Sequence, residues 1–304
     1  MISYLRSTNY RPVIKQRESL QPGSWIRSER PNEDEQRQLV ELGIDRDLLT
    51  DALDPHEVPR VELEDGWVYF ITRLPDTDAD FNDYTTPILF ALGGQHIVTV
   101  SRDSLGRLWQ PFIDNIKAPT TQKTKLFMLM LESIVRQYQT RVASINRQMR
   151  ATTSDVRTLK SKDIITLTEY ERKLNDYLDA LQPSNTALEK ILGGRILPLY
   201  EDDRDLVEDV SIEFEQLIAR CKALLRTITN VRDTYSAVMD TQLNGAIRIL
   251  TAVTLAVTAP TMAINLYSMN VPIPGQHSPY AFWLIVLVGG ATSVGMSFYF
   301  LRKK

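Results

Sequence analysis

The chain of 304 residues has a single cysteine, Cys221, and three histidines, His56, His96 and His277. One thiol excludes an intrachain disulfide framework, a zinc ribbon or a cysteine-held iron–sulfur cluster. The histidines are scattered, with none of the spacings of a dedicated His/Cys metal centre. Cys221 lies among Leu217, Ala219, Leu224 and Leu225, the setting of a small packed residue rather than a nucleophile. No glycine-rich nucleotide loop or nucleophile triad is present, so neither an enzyme nor an organic cofactor is expected. The opening segment, Met1 to Tyr10, is polar and lacks the apolar core of a signal peptide.

Acidic residues are missing from one region. Residues 246–304 contain no Asp or Glu and four basic residues, Arg248, Arg302, Lys303 and Lys304. Residues 1–245 therefore hold 31 basic and 38 acidic side chains, a net charge of −7. Such a surface repels phosphate backbones, which argues against a nucleic-acid partner; it suits a cationic partner, or plain solubility.

Helix breakers are missing from another region. Between Glu201 and Ala259 there is no proline and one glycine, Gly245, so nothing interrupts a single helix of 59 residues. At a rise of about 1.5 Å per residue it would be roughly 90 Å long, and a helix of that length needs partners along its whole course.

Two long apolar runs are present, from Ala246 to Tyr267 and from Phe282 to Leu301, separated by a short polar loop. They read as a membrane hairpin closing a soluble portion, whose averaging hides the hairpin in a mean hydropathy of −0.21. Arg302-Lys303-Lys304 after the second run places the C-terminus in the cytoplasm, and an even number of spans puts the N-terminal region there too.

The soluble portion begins with a mixed pattern. Trp25 to Arg27, Arg60 to Glu64, Trp67 to Arg73, Pro87 to Ala91 and His96 to Val100 are expected strands, with turns at Asp65-Gly66 and Gly93-Gly94. Asn32 to Leu42 reads as an N-capped amphipathic helix and Asp45 to Leu53 as a second short one. Helical spacing dominates from Thr121: Lys123 to about Ser154 is one helix, and Asp163 to Leu181 another, stopped by Pro183. Ser184 to Leu197 reads as a helix and turn without a clear place. The expected domains are an α+β cytoplasmic domain (1–120), a helical cytoplasmic region with a stalk helix from about 200 (121–245), and a transmembrane hairpin (246–304, spans about 246–267 and 282–301).

Within the first span Thr251, Thr254, Thr258, Thr261 and Asn265 recur at spacings of 3, 4, 3 and 4. This puts them on one helical face, opposite Val253, Leu255, Val257 and Ile264. Backwards, the same face passes through Ile247, Asn244, Asp240, Ala237 and Asp233. One reading is a wettable pore face, which a two-helix hairpin can enclose only as an oligomer. The other is packing, with each hydroxyl bonded to its own i−4 carbonyl. Pro260 removes one backbone bond midway and is expected to kink the helix, for packing or for gating.

Between the runs stands Tyr267-Ser268-Met269-Asn270, which resembles the Tyr-Gly-Met-Asn signature of CorA-type magnesium channels, with serine in place of glycine. The segment from Asp54 to Glu62 likewise resembles the Asp-Pro-x-Glu-x-Pro-Arg-Val-Glu stretch of that family's N-terminal domains. The resemblance implies a funnel-shaped homopentamer with ten spans, the first lining a pore for magnesium or cobalt. It implies an ion-selecting ring at Asn270, framed by Tyr267, Ser268 and Met269, a second polar ring at Asn244, and an apolar constriction at Ile247 and Leu250. It also implies acidic sites between subunits that respond to cytoplasmic magnesium. The candidates are Asp76 and Asp78 facing the run Glu201, Asp202, Asp203, Asp205, Glu208 and Asp209; solvated helix capping is the alternative for that run.

Two departures bear on the resemblance. Ser268 adds a Cβ at a turn where glycine is easiest, and the loop from Val271 to Ala281 has no acidic residue. Related ZntB-type proteins carry Gly-Ile-Asn and move zinc; Met269 keeps this chain nearer the magnesium branch. The expected function is therefore a membrane-potential-driven channel for divalent cations in the plasma or inner membrane. The alternatives are a zinc, cobalt or nickel transporter of the same fold, and a membrane-anchored helical scaffold without transport.

Overall fold

A computed structural model describes the chain except for residues 9–10, 78–82, 116–118, 156–157, 195, 198, 270–277 and 303–304. Seven strands form one sheet: β1 (Ile2–Thr8), β2 (Arg11–Arg17), β3 (Trp25–Glu29), β4 (Arg60–Glu64), β5 (Trp67–Thr77), β6 (Asp83–Gly93) and β7 (His96–Ser101). Their order is β2-β1-β3-β7-β6-β5-β4. Only β3 and β7 run parallel, with Ile26 opposite Val98; all other pairs are antiparallel.

Alternate residues of the central strands serve two faces, and both are buried, so these strands read as continuous apolar runs. On one face Ile26, Tyr69, Ile71, Leu89, Ala91, Val98 and Val100 pack against Leu39 of α1 (Glu33–Glu41) and Leu48 and Leu49 of α2 (Arg46–Asp51). On the other, Trp25 meets Trp109 and Phe112 of α3 (Gly106–Asn115) edge to face. Phe70 and Phe90 there pack on Phe127 of α4 (Lys123–Thr152). Helices α1 and α2 start where their caps dictate: Asn32 and Glu35 form a reciprocal capping box, and the Asp45 carboxylate accepts from the amides of Asp47 and Leu48.

Several boundaries differ from those expected. Strands β1 and β2 were not anticipated, because Ser3, Leu5 and Ser7 face inward and the buried serines blur the two-residue period. Strands β5 and β6 extend past the expected ends through Pro75 and Pro87. Both prolines lie beyond the reach of the outer neighbours, whose pairing stops at Ile71 and Ile88, so no ladder donor is missed. The β6–β7 turn falls at Gly94-Gln95 rather than Gly93-Gly94. Helix α3, which contains Pro111, was also unforeseen.

The expected stop at Pro183 is corrected. Helix α5 runs from Ser161 to Leu192, absorbing most of the unplaced segment from Ser184 to Leu197. Its buried face, Leu174, Leu178, Leu181, Leu188 and Ile191, continues across the proline, and the Ser184 hydroxyl lies 2.7 Å from that of Thr72 in β5. Packing on both sides offsets the one lost backbone bond.

The segment that carries the second resemblance forms an ion-pair clasp. Arg60, at the start of β4, is held by Glu57 and Glu62 of the motif and by Asp51 at 2.7 Å. Burial pulls the guanidinium's pKa down, and the carboxylates, Glu62 and Asp51 foremost, hold it above its ordinary value.

Helix α6 (Glu201–Tyr267) is a single helix of 67 residues, and α7 (Ala281–Arg302) follows. The chain divides into two compact units, Met1–Asp155 with Leu159–Asn230, and Val156–Thr158 with Val231–Lys304. Inside the first unit α6 buries Val207, Val210, Phe214, Leu217, Cys221, Leu224 and Ile228, spaced alternately by 3 and 4. Burial pushes the Cys221 thiol up to about 12, which suits a packing residue.

A β-carbon at Gly93 would lie 2.0 Å from the Trp67 ring, so this glycine is fixed by close approach. Gly93→Ala is expected to lower the stability of the first unit by about 2–3 kcal/mol, measured as a shift in urea unfolding followed by tryptophan fluorescence.

Candidate functional site

Beyond Asn230, helix α6 loses its packing within the first unit. Among its described side chains from Val231 to Tyr267 only Ala252 is buried. Thr251, Thr254, Thr258, Thr261 and Asn265 are all exposed, as are Asn244, Ile247 and Leu250 along the same face. What covers α6 in the second unit is α7, and it does so elsewhere on the circumference. Ala252, Ala256 and Pro260 form the shielded side, and Gly289 of α7 is buried against Pro260. At about 100° per residue this seam lies roughly 170° from the threonine stripe. The hairpin thus leaves its most polar face unpartnered.

The threonine hydroxyls donate back to their own helix. Thr251 Oγ1 lies 2.8 Å from the Ile247 carbonyl, Thr254 Oγ1 2.8 Å from that of Leu250, and Thr261 Oγ1 2.7 Å from that of Val257. Both readings of the stripe survive this. The proton is spent on the backbone, yet each oxygen keeps lone pairs turned outward, which makes the face an acceptor surface.

Helix α6 ends at Tyr267. The Ser268 amide still donates to the Ile264 carbonyl, at 3.1 Å, and the Ser268 hydroxyl donates to the Asn265 carbonyl, at 2.9 Å. The left-handed non-glycine residues among those described are Arg30 and Asp65, so Ser268 does not occupy the conformation that would call for glycine. Met269 is exposed and lies with Thr258, Thr261 and Asn265 along one shallow groove. Asn270, His277 and most of the loop from Val271 lie outside the described residues, as does Asp78.

The acidic candidates of the first unit are dispersed. Asp205, Glu208 and Asp209 are exposed on the opening turns of α6. Asp76, in β5, accepts from the Thr77 amide at 2.8 Å and from the Tyr84 hydroxyl at 3.3 Å. Among the described residues of one chain, no three His, Cys, Asp or Glu side chains converge as a metal site.

By length and composition α6 is the one described helix able to cross a membrane; the described apolar stretch of α7, Phe282–Gly295, is shorter. The sequence analysis gave no weight to Gly289 and Ser293 of α7. Their small-xxx-small spacing, matching Ala252-xxx-Ala256-xxx-Pro260, is the signal that could have found them.

A polar stripe on a long helix, paired with a second apolar helix on its far side, has a counterpart among known proteins. Residues 21–303 match the model of the family described as CorA-like Mg2+ transporter protein. The chain belongs to this family. CorA-family proteins are transporters of divalent cations rather than enzymes. The cobalt/magnesium transport protein CorA of Methanocaldococcus jannaschii is 24% identical over 277 residues, spanning 86% of this chain and 84% of that protein. The protein of the same name from Thermotoga maritima is 21% identical over 316 residues, spanning 98% and 88%. The solved complete structure of the M. jannaschii CorA magnesium transporter superposes with a TM-score of 0.85 at 19% identity, covering 100% of this chain and 98% of that one. The likeness of fold includes the α+β soluble part and the long helix.

Because Ser268 is unstrained, Ser268→Gly in this CorA-family chain should change stability by no more than about 1 kcal/mol, in the destabilising direction. Thermal unfolding of the detergent-solubilised protein checks this; stabilisation by glycine would reveal strain at the serine.

Proposed function

We propose that this protein is a homopentameric channel through which magnesium, and secondarily cobalt, enters the cell down the membrane potential. The observation that carries the reading is the exposed stripe from Asn244 to Asn265, with α7 seated on the opposite side of α6. Five copies of α6 turning this stripe inward would enclose a passage lined by hydroxyl and amide oxygens, with α7 as an outer span facing lipid. Both termini would lie in the cytoplasm of a plasma- or inner-membrane protein.

The chemistry of the cargo fits such a lining. Magnesium holds its waters tightly, so a path that leaves them in place is faster than one that strips them. Waters bound to the ion are hydrogen-bond donors, and what they need is acceptors. The outward lone pairs of Thr251, Thr254 and Thr261, whose protons are already committed to the helix, meet that need without a fixed charge to trap the ion. A ring of Asn270 carbonyls, next to Tyr267, Ser268 and Met269, would select at the mouth, and Asn244 would form a second ring inside. Ile247 and Leu250, both exposed in one chain, would close the path by dewetting. The driving force is about 2.3 kcal/mol per elementary charge per 100 mV, twice that for a divalent ion. Regulation by cytoplasmic magnesium would fall to Asp76 and Asp78 of one subunit facing Asp205, Glu208 and Asp209 of the next.

Uptake into proteoliposomes under a negative-inside potential, read with internal dyes for magnesium and zinc, tests the reading. The native protein should pass magnesium and Asn270→Ala should not. Zinc flux without magnesium would reassign the cargo, and no flux from a folded oligomer would leave a scaffold. Replacing Thr254 and Thr258 together by Val, which keeps shape and removes the acceptors, should lower magnesium flux by about fivefold, the equivalent of one ordinary hydrogen bond.

A further inference from the structure

Pro260 sits in the middle of the apolar part of α6 and has no amide proton. In a regular helix the amide of residue 260 would donate to the carbonyl of Ala256, so that carbonyl is left without its helical donor. In a bilayer no water is at hand to replace it. The Ser293 hydroxyl of α7 lies 2.7 Å from the Ala256 carbonyl oxygen. The same hydroxyl is 2.8 Å from the Gly289 carbonyl of its own helix, and one proton can serve only one of the two. The Gly289 carbonyl also lies 2.9 Å from the Thr292 hydroxyl. It sits inside a continuous helix, which supplies its backbone partner. The acceptor in need is Ala256.

Gly289 makes this reach possible. It is buried, and a β-carbon there would lie 3.3 Å from Pro260 Cβ and 3.5 Å from Pro260 Cα. Without a side chain at 289, α7 approaches the proline closely enough for Ser293, one turn further on, to meet the vacated carbonyl.

We infer that Ser293, seated by Gly289, is a positioning residue that fixes the bend of the pore-lining helix by supplying the hydrogen bond Pro260 cannot make. The inference rests on the reading of α6 as that lining. The bend at Pro260 sets the direction of all that follows on α6, including Asn265 and the approach to Asn270. Ser293 touches no part of the threonine face, so it acts on how often the path is conductive and not on the affinity for the ion.

The test is a double-mutant cycle. Four proteins are compared: native, Ser293→Ala, Pro260→Ala, and the pair. Magnesium flux is measured against magnesium concentration in proteoliposomes, and the thermal midpoint of the solubilised oligomer is measured alongside. Ser293→Ala should lower maximal flux by about three- to tenfold, the range for a hydrogen bond between membrane helices, at an unchanged half-saturating concentration. Pro260→Ala restores the backbone donor at 260, so adding Ser293→Ala to it should change neither flux nor midpoint further. Ser293→Thr, which keeps the hydroxyl, should behave as native, and Ser293→Val, its match in shape, should behave as Ser293→Ala. Equal losses from Ser293→Ala with and without Pro260, or native behaviour of Ser293→Val, would overturn the inference. Should the native protein carry no ion, the channel reading fails; the midpoints then decide this inference by the same additivity criterion.

Discussion

Everything in this structure follows from one helix that its own chain cannot fully cover. The first thirty or so residues of α6 are packed through the run Val207 to Ile228 into the aromatic and aliphatic core of the first unit. From Val231 on, its described side chains are exposed or half-buried, Ala252 excepted, and α7 shields only one side. A helix of that length without partners is not stable in water. The missing partners must come from outside the chain, and their chemistry can be read from the helix: apolar flanks at Val253, Val257 and Ile264 for lipid or a neighbour, and a hydroxyl and amide face for water.

The same economy of donors and acceptors links the soluble and membrane parts. Where a polar group is buried it is answered locally: Trp25 Nε1 donates to Thr99 Oγ1, the Tyr138 hydroxyl to the Arg73 carbonyl, and the Ser211 hydroxyl to Asn185. On the stripe of α6 the threonine protons are answered by the helix itself, and only oxygen lone pairs are left facing outward. That asymmetry is what a hydrated cation can use. A metal cage would need converging carboxylates, and within the described residues of one chain there are none.

Much of this was legible in the sequence, for identifiable reasons. Asn32 and Asp45 announced α1 and α2 because capping is a local matter of one side chain and one or two amides. The absence of breakers announced α6, and the 3–4 spacing of its threonines fixed which residues share a face. Elements decided by tertiary packing were not legible. Buried Ser3 and Ser7 hid β1, and the helix through Pro183 persists because of neighbours that sequence spacing cannot reveal. Gly289 and Ser293 matter only because Pro260 is opposite them, and nothing in a single apolar run says what it will face. The serine of the signature proved easier to accommodate than its Cβ implied, since the helix extends its hydrogen bonding to the Ser268 amide.

The central claim is that the threonine face of α6 meets water inside the membrane. The direct measurement is the reactivity of single cysteines at Thr251, Thr254, Thr258 and Thr261, and at Val253 and Ile264, toward a charged water-soluble thiol reagent. It is made on the protein in bilayers with Cys221 replaced by serine. The account predicts modification at the four threonine positions and protection at Val253 and Ile264. Reactivity without that helical period, or threonine positions as inert as the flanks, would contradict it.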